Sequence, residues 1–301
     1  FTGGNYTVNP LALTGSISAG SSTYGSALSA GTPTFTNAFA NDLLGTATIA
    51  VDTTGNLSSS NHLKAGSYTN IESITALSGT DASNYTFANV KGNYTVSQLA
   101  LTGAAIAGVS TSYGTAANAG AVSFGNVVSG DTVTTTASID SPLYSTSNHL
   151  KAGSYTQTAS TTLGGADAGN YSFTGFTSAA NYVVNQLALN GVIANGSSTY
   201  GAALVDGAVT YTNLLNQDVL SAPTLTFTTT GNTSTSGKLK ASSYTAIQSV
   251  SALNGTDAAN YSIGTFTGGN YTVNPLALTG SITGGGNTYG SAPVAGTFAF
   301  G

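Results

Sequence analysis

Asn-Tyr-Thr-Val-Ser-Gln-Leu-Ala-Leu, residues 93–101, is the stretch that decides how this chain is organised. Tyr94 and Val96 share one parity, Leu99 and Leu101 the other, and only Ser97-Gln98 lies between the two pairs. Side chains on a strand alternate faces, so a parity switch across two residues turns the apolar side from one core toward the next. A flexible linker would be longer and rich in Gly and Ser. The same short connection recurs as Asn9-Pro10, Asn185-Gln186 and Asn274-Pro275. The expectation is a stiff, extended array.

Working outward, the Asn-Tyr-Thr-Val motif or a close variant places tyrosines at Tyr6, Tyr94, Tyr182 and Tyr271, spaced 88, 88 and 89 residues apart. Tyr-Gly pairs follow the same period at Tyr24, Tyr113, Tyr200 and Tyr289, and Lys-Ala-[Gly/Ser]-Ser-Tyr ends at Tyr68, Tyr155 and Tyr244. A fixed period of this kind marks a repeat architecture and replaces the usual estimate of domain number from length. The expected division is 1–10 as the end of one copy, then 11–98, 99–186 and 187–275 as whole copies, and 276–301 as the start of a fourth. Phe1 to Ile17 repeats as Phe266 to Ile282 at every position, which reads as a segment cut from a longer array.

Period-two runs of Thr, Val, Tyr, Phe and Ile, broken by Gly, Asn, Asp and Ser, predict an all-β chain. In the first copy the strands are expected near Leu11 to Ser18, Thr32 to Phe39, Gly45 to Thr53, Ser67 to Leu77, Asn84 to Asn89 and Asn93 to Ser97. Short strands at this spacing suggest a small β-sandwich-like domain of about 88 residues, with a β-grasp-like sheet as the alternative, repeated end to end as an elongated rod. A parallel β-helix repeats at much shorter intervals. Tyr6, Tyr68, Tyr85, Tyr94 and their counterparts are expected in the core with bonded hydroxyls.

Composition excludes several function classes. Apolar residues make up 40% of the chain, too many for disorder. Charged residues make up only 5%, with no Arg and a formal net charge of −5, so nucleic acid and anionic membranes are poor partners. The absence of Cys removes disulfides and Cys-based metal sites and suits a chain that crosses an oxidising compartment. No apolar run approaches the roughly 18 to 20 residues of a membrane span, so no membrane insertion is expected.

Three charged positions recur in every copy: Asp42, Asp131 and Asp218; Lys64, Lys151 and Lys240; Asp81, Asp167 and Asp257. The simplest reading makes the Asp residues turn formers that bond the local backbone and the Lys residues solvated edge charges. The sharper one pairs Lys64 with Asp81, Lys151 with Asp167 and Lys240 with Asp257, as a buried ion pair or an intramolecular isopeptide bond. His62 and His149 share the tetrapeptide Asn-His-Leu-Lys, but Lys238 replaces them in the third copy, which argues against a metal or catalytic role. Isolated Asp residues do not make a calcium loop. No Ser-His-Asp set, carboxylate pair or phosphate-binding loop is visible, so no enzyme activity and no cofactor are expected. Sequons are abundant, yet Asn181-Tyr182-Val183 keeps the Asn-Tyr pair and loses the sequon, which favours a structural Asn.

The Tyr-Gly start, the Asp of Asn-Asp-Leu or Gly-Asp-Thr (Asp42, Asp131), the Ala-Gly-Ser-Tyr strand, and Asp-Ala-x-Asn-Tyr (Asp81 to Tyr85, Asp167 to Tyr171, Asp257 to Tyr261) together resemble the MBG/YDG-type repeats of large Gram-negative exported adhesins. Such repeats occur in proteins similar to filamentous-haemagglutinin-like two-partner-secretion adhesins. The resemblance implies export, display at the cell surface, and a role in attachment or biofilm. Neighbouring repeats of the same chain are the expected partners. In one reading the copies only set distance, as a stalk; in the other they hold glycans or other surface molecules through Tyr, Asn and Asp on loops.

Overall fold

Thr, Val, Ile and Tyr suit a pleated, half-buried surface, and they make this chain strand-rich from one end to the other. The computed structural model describes residues 3–301 and is all-β. Among the described residues the only helical segments are three 3₁₀ turns, Ala82–Asn84, Ala168–Asn170 and Ala258–Asn260. Each follows the Asp and precedes the Tyr of an Asp-Ala-x-Asn-Tyr motif.

The chain divides into two compact units. One consists of Phe1–Val109, Asn118–Ser141 and Ser154–Tyr182, the other of Ser110–Ala117, Pro142–Gly153 and Val183–Gly301. The division falls inside the second sequence copy, 99–186, so the boundary at 98/99 lies in the first unit and the one at 186/187 in the second.

In the first unit a five-stranded sheet runs in the order Pro33–Phe35, Gly15–Thr23, Lys91–Ser97, Gly66–Leu77, Ala47–Val51. Its two central members, near the beginning and the end of the first copy, pair in parallel, with Gly20 opposite Tyr94 and Thr23 opposite Ser97. The remaining pairings are antiparallel. Leu11–Ala12 adds a short parallel pair with Tyr85–Thr86, and the next copy repeats it as Leu99–Ala100 with Tyr171–Ser172.

The second unit carries the same parallel theme. Leu187–Ile193 lies between Val209–Tyr211 and Tyr261–Thr267, and it is parallel to the latter. Gly196–Thr199 is parallel to Tyr271–Asn274, whose other neighbour is the antiparallel Ser242–Tyr244.

The strands expected for the first copy are present in part: Leu11 to Ser18 is split into Leu11–Ala12 and Gly15–Thr23, Thr32 to Phe39 shrinks to Pro33–Phe35, and Asn84 to Asn89 shrinks to Tyr85–Thr86. The strand after Leu11–Ala12 runs on to Thr23 through Gly20, where the ladder shifts register between Ile17 and Gly20. A Cβ at Gly20 would lie 2.4 Å from Oε1 of Glu72, and one at Gly92 would lie 2.5 Å from Oε2. Both glycines therefore make room for a buried carboxyl, and neither ends the strand.

Two apolar clusters stand out among the described residues of the first unit. Leu13, Ile17, Ile74, Tyr85 and Val90 form one. The other joins Tyr24, Leu63, Tyr94 and Val96 of the first copy to Leu101 and Tyr171 of the second. The parity switch at Ser97-Gln98 thus has a different meaning from the one expected: Tyr94, Val96 and Leu101 reach a single shared cluster across the connection, not two separate cores.

Tyr85, Tyr94, Tyr171, Tyr182, Tyr261 and Tyr271 are buried as expected. Tyr68 and Tyr244 are only partly buried, and Tyr6 is 91% exposed. Its counterpart Tyr94 is covered because its strand is flanked on both sides; no strand flanks Tyr6.

Candidate functional site

The chain concentrates its polar chemistry where one copy meets the next. Each such site has two halves, a tip from the earlier copy and an acceptor face from the later one. The tip is built on two turns. In the first, Tyr24 is followed by Gly25 at φ +81°, a conformation that side chains disfavour, and Gly114, Gly201 and Gly290 repeat it at +92°, +88° and +89°. In the second, Ser58 donates its N–H to the carbonyl of His62 and Asn61 sits at φ +63°. Asn148 and Gly237 take the Asn61 place in later copies, each a residue that tolerates this region.

The acceptor face comes from the turn that ends at Asp131 and from the motif Asp167 to Tyr171. In the first unit the Tyr24 hydroxyl donates to Oδ2 of Asp131 at 2.5 Å, and the Tyr171 hydroxyl donates to the same oxygen at 2.6 Å. Oδ1 of Asp131 accepts the backbone N–H of Ser60 at 3.1 Å. Ser58 Oγ lies 2.6 Å from the Tyr24 phenol oxygen, and the Tyr24 and Tyr171 rings meet edge to face with centroids 5.3 Å apart. Asp167 accepts Ser59 N–H from the tip and Thr132 N–H from its own copy, while Oδ1 of Asn170 accepts Ala65 N–H at 2.9 Å. Gln98 of the connecting dipeptide donates to the carbonyl of Gly169.

The second unit holds the same Tyr–Asp–Tyr arrangement, except that Oδ1 of Asp218 is buried without a hydrogen-bond partner among the described residues. Tyr113 and Tyr261 both donate to Oδ2 of Asp218, at 2.7 and 2.5 Å, with ring centroids 5.4 Å apart. Asp257 accepts N–H groups from Thr146 and Val219 as well as the Thr146 hydroxyl. Asn260 accepts Ala152 N–H, and Gln186 donates to the carbonyl of Ala259.

Burial and hydrogen bonding pull the carboxylates in opposite directions. Desolvation raises the pKa of Asp131, yet the hydroxyls of Tyr171, Tyr24 and Ser60 outweigh it and hold the group below its ordinary value. At Asp218 burial again opposes ionisation, and Ser147, Tyr261 and Tyr113 again prevail. Asp167 is likewise lowered against its burial, by N–H groups of Thr132 and Ser59 and by the nearby Lys64 ammonium. Tyr171 and Tyr261 are pushed above the ordinary phenol value, first by burial and then by the carboxylate each one faces.

Asp42, Asp131 and Asp218 do lie in turns, as their backbone N–H bonds to Phe39, Val128 and Leu215 show, but their side chains reach phenols and not the local backbone. Asp81, Asp167 and Asp257 make no local cap bond; their carboxylates accept from Leu43, Thr132 and Val219. Lys64 acts on Asp167 of the following copy, and it stands on the exposed side of its tip with its counterpart Lys240.

Three positions escaped the sequence reading. Glu72, fully buried, accepts N–H from Gly20 and Gly31. Gln157 and Gln248 occupy its place later, and their amide nitrogens donate to the carbonyls of Ala107 and Ala194. The spacing hid the series, because Glu72 and Gln248 fall four residues after their Tyr whereas Gln157 falls two after Tyr155. The Tyr-Gly tyrosines served only as period markers, although the Gly retained in every copy was a signal that the preceding Tyr sits on a turn built for contact.

The arrangement is a clamp made from side chains that are already spent on each other. Among the described residues no group of three or more His, Asp or Glu could hold a metal ion, and no helix is long and apolar enough to cross a membrane. Fold and site together define an all-β chain whose sequence copies are locked by Tyr–Asp–Tyr clamps. No family model, curated protein or solved structure matches it.

Proposed function

We propose that this chain is a stalk segment of a secreted bacterial cell-surface adhesin, a rod of β-sandwich-like copies that holds a distal binding region away from the cell. One observation carries the reading: at the two junctions 98/99 and 186/187 the recurring Tyr-Gly, turn Asp and Asp-Ala-x-Asn-Tyr residues are consumed in fastening one copy to the next. Pinned connections and buried clamps are what a spacer needs, and the adhesin assignment draws on the resemblance of the same motifs to exported adhesin repeats. Small-angle scattering tests it. A compact chain of this length has a radius of gyration of about 19 Å, whereas three and a fraction copies in line give roughly 35 Å. A value near 20 Å rejects the spacer.

A second reading, that the copies themselves hold glycans, has one supporting observation. A shallow pocket recurs at matching places in two copies, between the Tyr-Gly turn and the turn before Leu63 or Leu239, with volumes of about 300 and 220 Å³. Binding of this segment on a glycan array at low micromolar affinity would favour it over the stalk.

A further inference from the structure

The pockets beside the Tyr24 and Tyr200 turns contain the same unused group. Ser22 and Ser198 each stand two residues before the Tyr of a Tyr-Gly pair, on strands whose parallel ladders set Ser22 opposite Val96 and Ser198 opposite Val273. Both hydroxyl oxygens are buried without a hydrogen-bond partner among the described residues, and both serines line their pocket. Buried polar groups are nearly always paired, so an orphan that recurs at one ladder position in two copies marks where a partner enters.

The rest of the wall says what that partner is. Leu28, Leu63 and Val96 line the first pocket, and Leu204, Leu239 and Val273 take their places in the second. Thr53 and Thr229 add a further hydroxyl to each. A wholly apolar ligand would leave the serine unpaired. An anion would need a charge that both pockets share, yet His62 of the first is Lys238 in the second, and the chain has no Arg. Volumes of about 300 and 220 Å³ fall at or below the small end of ligand pockets and limit the occupant to one ring. The first pocket belongs to a tip seated on Asp131 and the second to the Tyr200 tip, so its form does not depend on how a tip is covered.

We propose that each of these two pockets holds one neutral pyranose ring. A sugar hydroxyl, which both donates and accepts, pairs with Ser22 or Ser198, and the apolar C–H face of the ring lies on Leu28 and Leu63, or on Leu204 and Leu239. The proposal deepens the glycan reading, on which it rests for the class of ligand, and it asks nothing of the rod. The middle copy has Thr111 at the place of Ser22 and Ala117 at the place of Leu28, so it serves as an internal control.

An amide shift titration of the whole chain tests it, with the methyl pyranosides of glucose, galactose, mannose and N-acetylglucosamine as probes. One ring bound at ordinary ligand efficiency has a Kd of about 1–10 mM. At least one probe should move the amides of Gly25, Leu28 and Leu63, and of Gly201, Leu204 and Leu239, along saturable curves in that range, with Gly114 unmoved. Ser22→Ala and Ser198→Ala should each weaken binding at their own pocket by about threefold or more and leave the other curve alone. Ala27→Trp and Ala203→Trp, at exposed positions of the two walls, should abolish it. Ser22→Ala should also leave the urea midpoint unchanged or raise it, since the hydroxyl has no protein partner to lose.

The proposal is overturned if none of the four sugars gives a saturable shift up to about 100 mM, far above that range of Kd. Serine variants that bind as wild type does, a shift at Gly114 equal to the others, or a lowered urea midpoint for Ser22→Ala would each overturn it too. Glucuronate separates charge from ring: if it alone binds, the occupant is an anion and the proposal is wrong. Glycan-array binding that survives Ala27→Trp combined with Ala203→Trp would keep the glycan reading and reject these pockets. An array empty at low micromolar affinity, together with millimolar shifts at the six amides, would keep the pockets and reject the tighter binding which that reading requires.

Discussion

Tyr24 and Asp131 are 107 residues apart in the chain and 2.5 Å apart in space, and Tyr171 donates to the same carboxylate oxygen from the other side. One carboxylate therefore ties two tyrosines from successive copies. Asp131→Ala should leave two phenols and the Ser60 N–H without their acceptor, at a cost of about 2–4 kcal/mol. Urea titration would measure it. A cycle with Tyr24→Phe should return a coupling energy above about 0.5 kcal/mol, and additive losses would mean that the contact carries no energy of its own.

Gly25 and Gly201 share a positive φ but differ in what lies beyond them. Gly25→Ala meets both the conformational penalty and Val128, whereas Gly201→Ala meets only the first. Gly201→Ala should cost about 1 kcal/mol and Gly25→Ala at least 1 kcal/mol more. Equal losses in thermal unfolding would show that the close approach is relieved by the Val128 side chain turning away.

Stability should be greatest between about pH 5 and 9 and fall on both sides. Asp131, Asp167 and Asp218 have lowered values in the folded chain, so their contribution is present above the ordinary carboxylate pKa, about 3.9, and is lost as pH drops below it. Tyr24, Tyr113, Tyr171 and Tyr261 have raised values, so theirs is complete below about pH 10 and lost as pH climbs further. Melting temperatures at pH 3, 7 and 11 would check both limbs, and a value at pH 3 equal to that at pH 7 would rule out the acid limb.

Glu72 occupies a place where the later copies use an amide. Gln157 and Gln248 accept a glycine N–H and also donate to a backbone carbonyl, whereas the Glu72 oxygens only accept. Glu72→Gln should stabilise the chain by roughly 1 kcal/mol, read as a higher urea midpoint with an unchanged slope. A lower midpoint would mean that the two N–H bonds to the carboxylate outweigh the missing donor.

The all-β class and most strand positions were legible because alternation of apolar and polar residues is a local property. Tyr85 and Tyr94 could be assigned to the core on that basis. Tyr6 could not be separated from Tyr94, since the motif is the same and only the strands beside it differ. Asp131 was visible as a recurring turn residue, but its partners lie 107 residues before and 40 residues after it. No window on the sequence contains all three. The Lys and Asp series were linked within a copy, while the structure puts Lys64 near Asp167 of the next one. A period shows which residues are equivalent, but not whether a pair closes within one period or across two.

The parallel pairing of Gly20–Thr23 with Tyr94–Ser97 also sets how the first copy bears load. The chain enters this copy just before the first of these strands and leaves it just after the second. Tension applied at the two ends draws the strands along their own axes in opposite directions. Their hydrogen bonds, which slant across the gap in a parallel pair, then resist together in shear and cannot open one at a time as a peeled hairpin does.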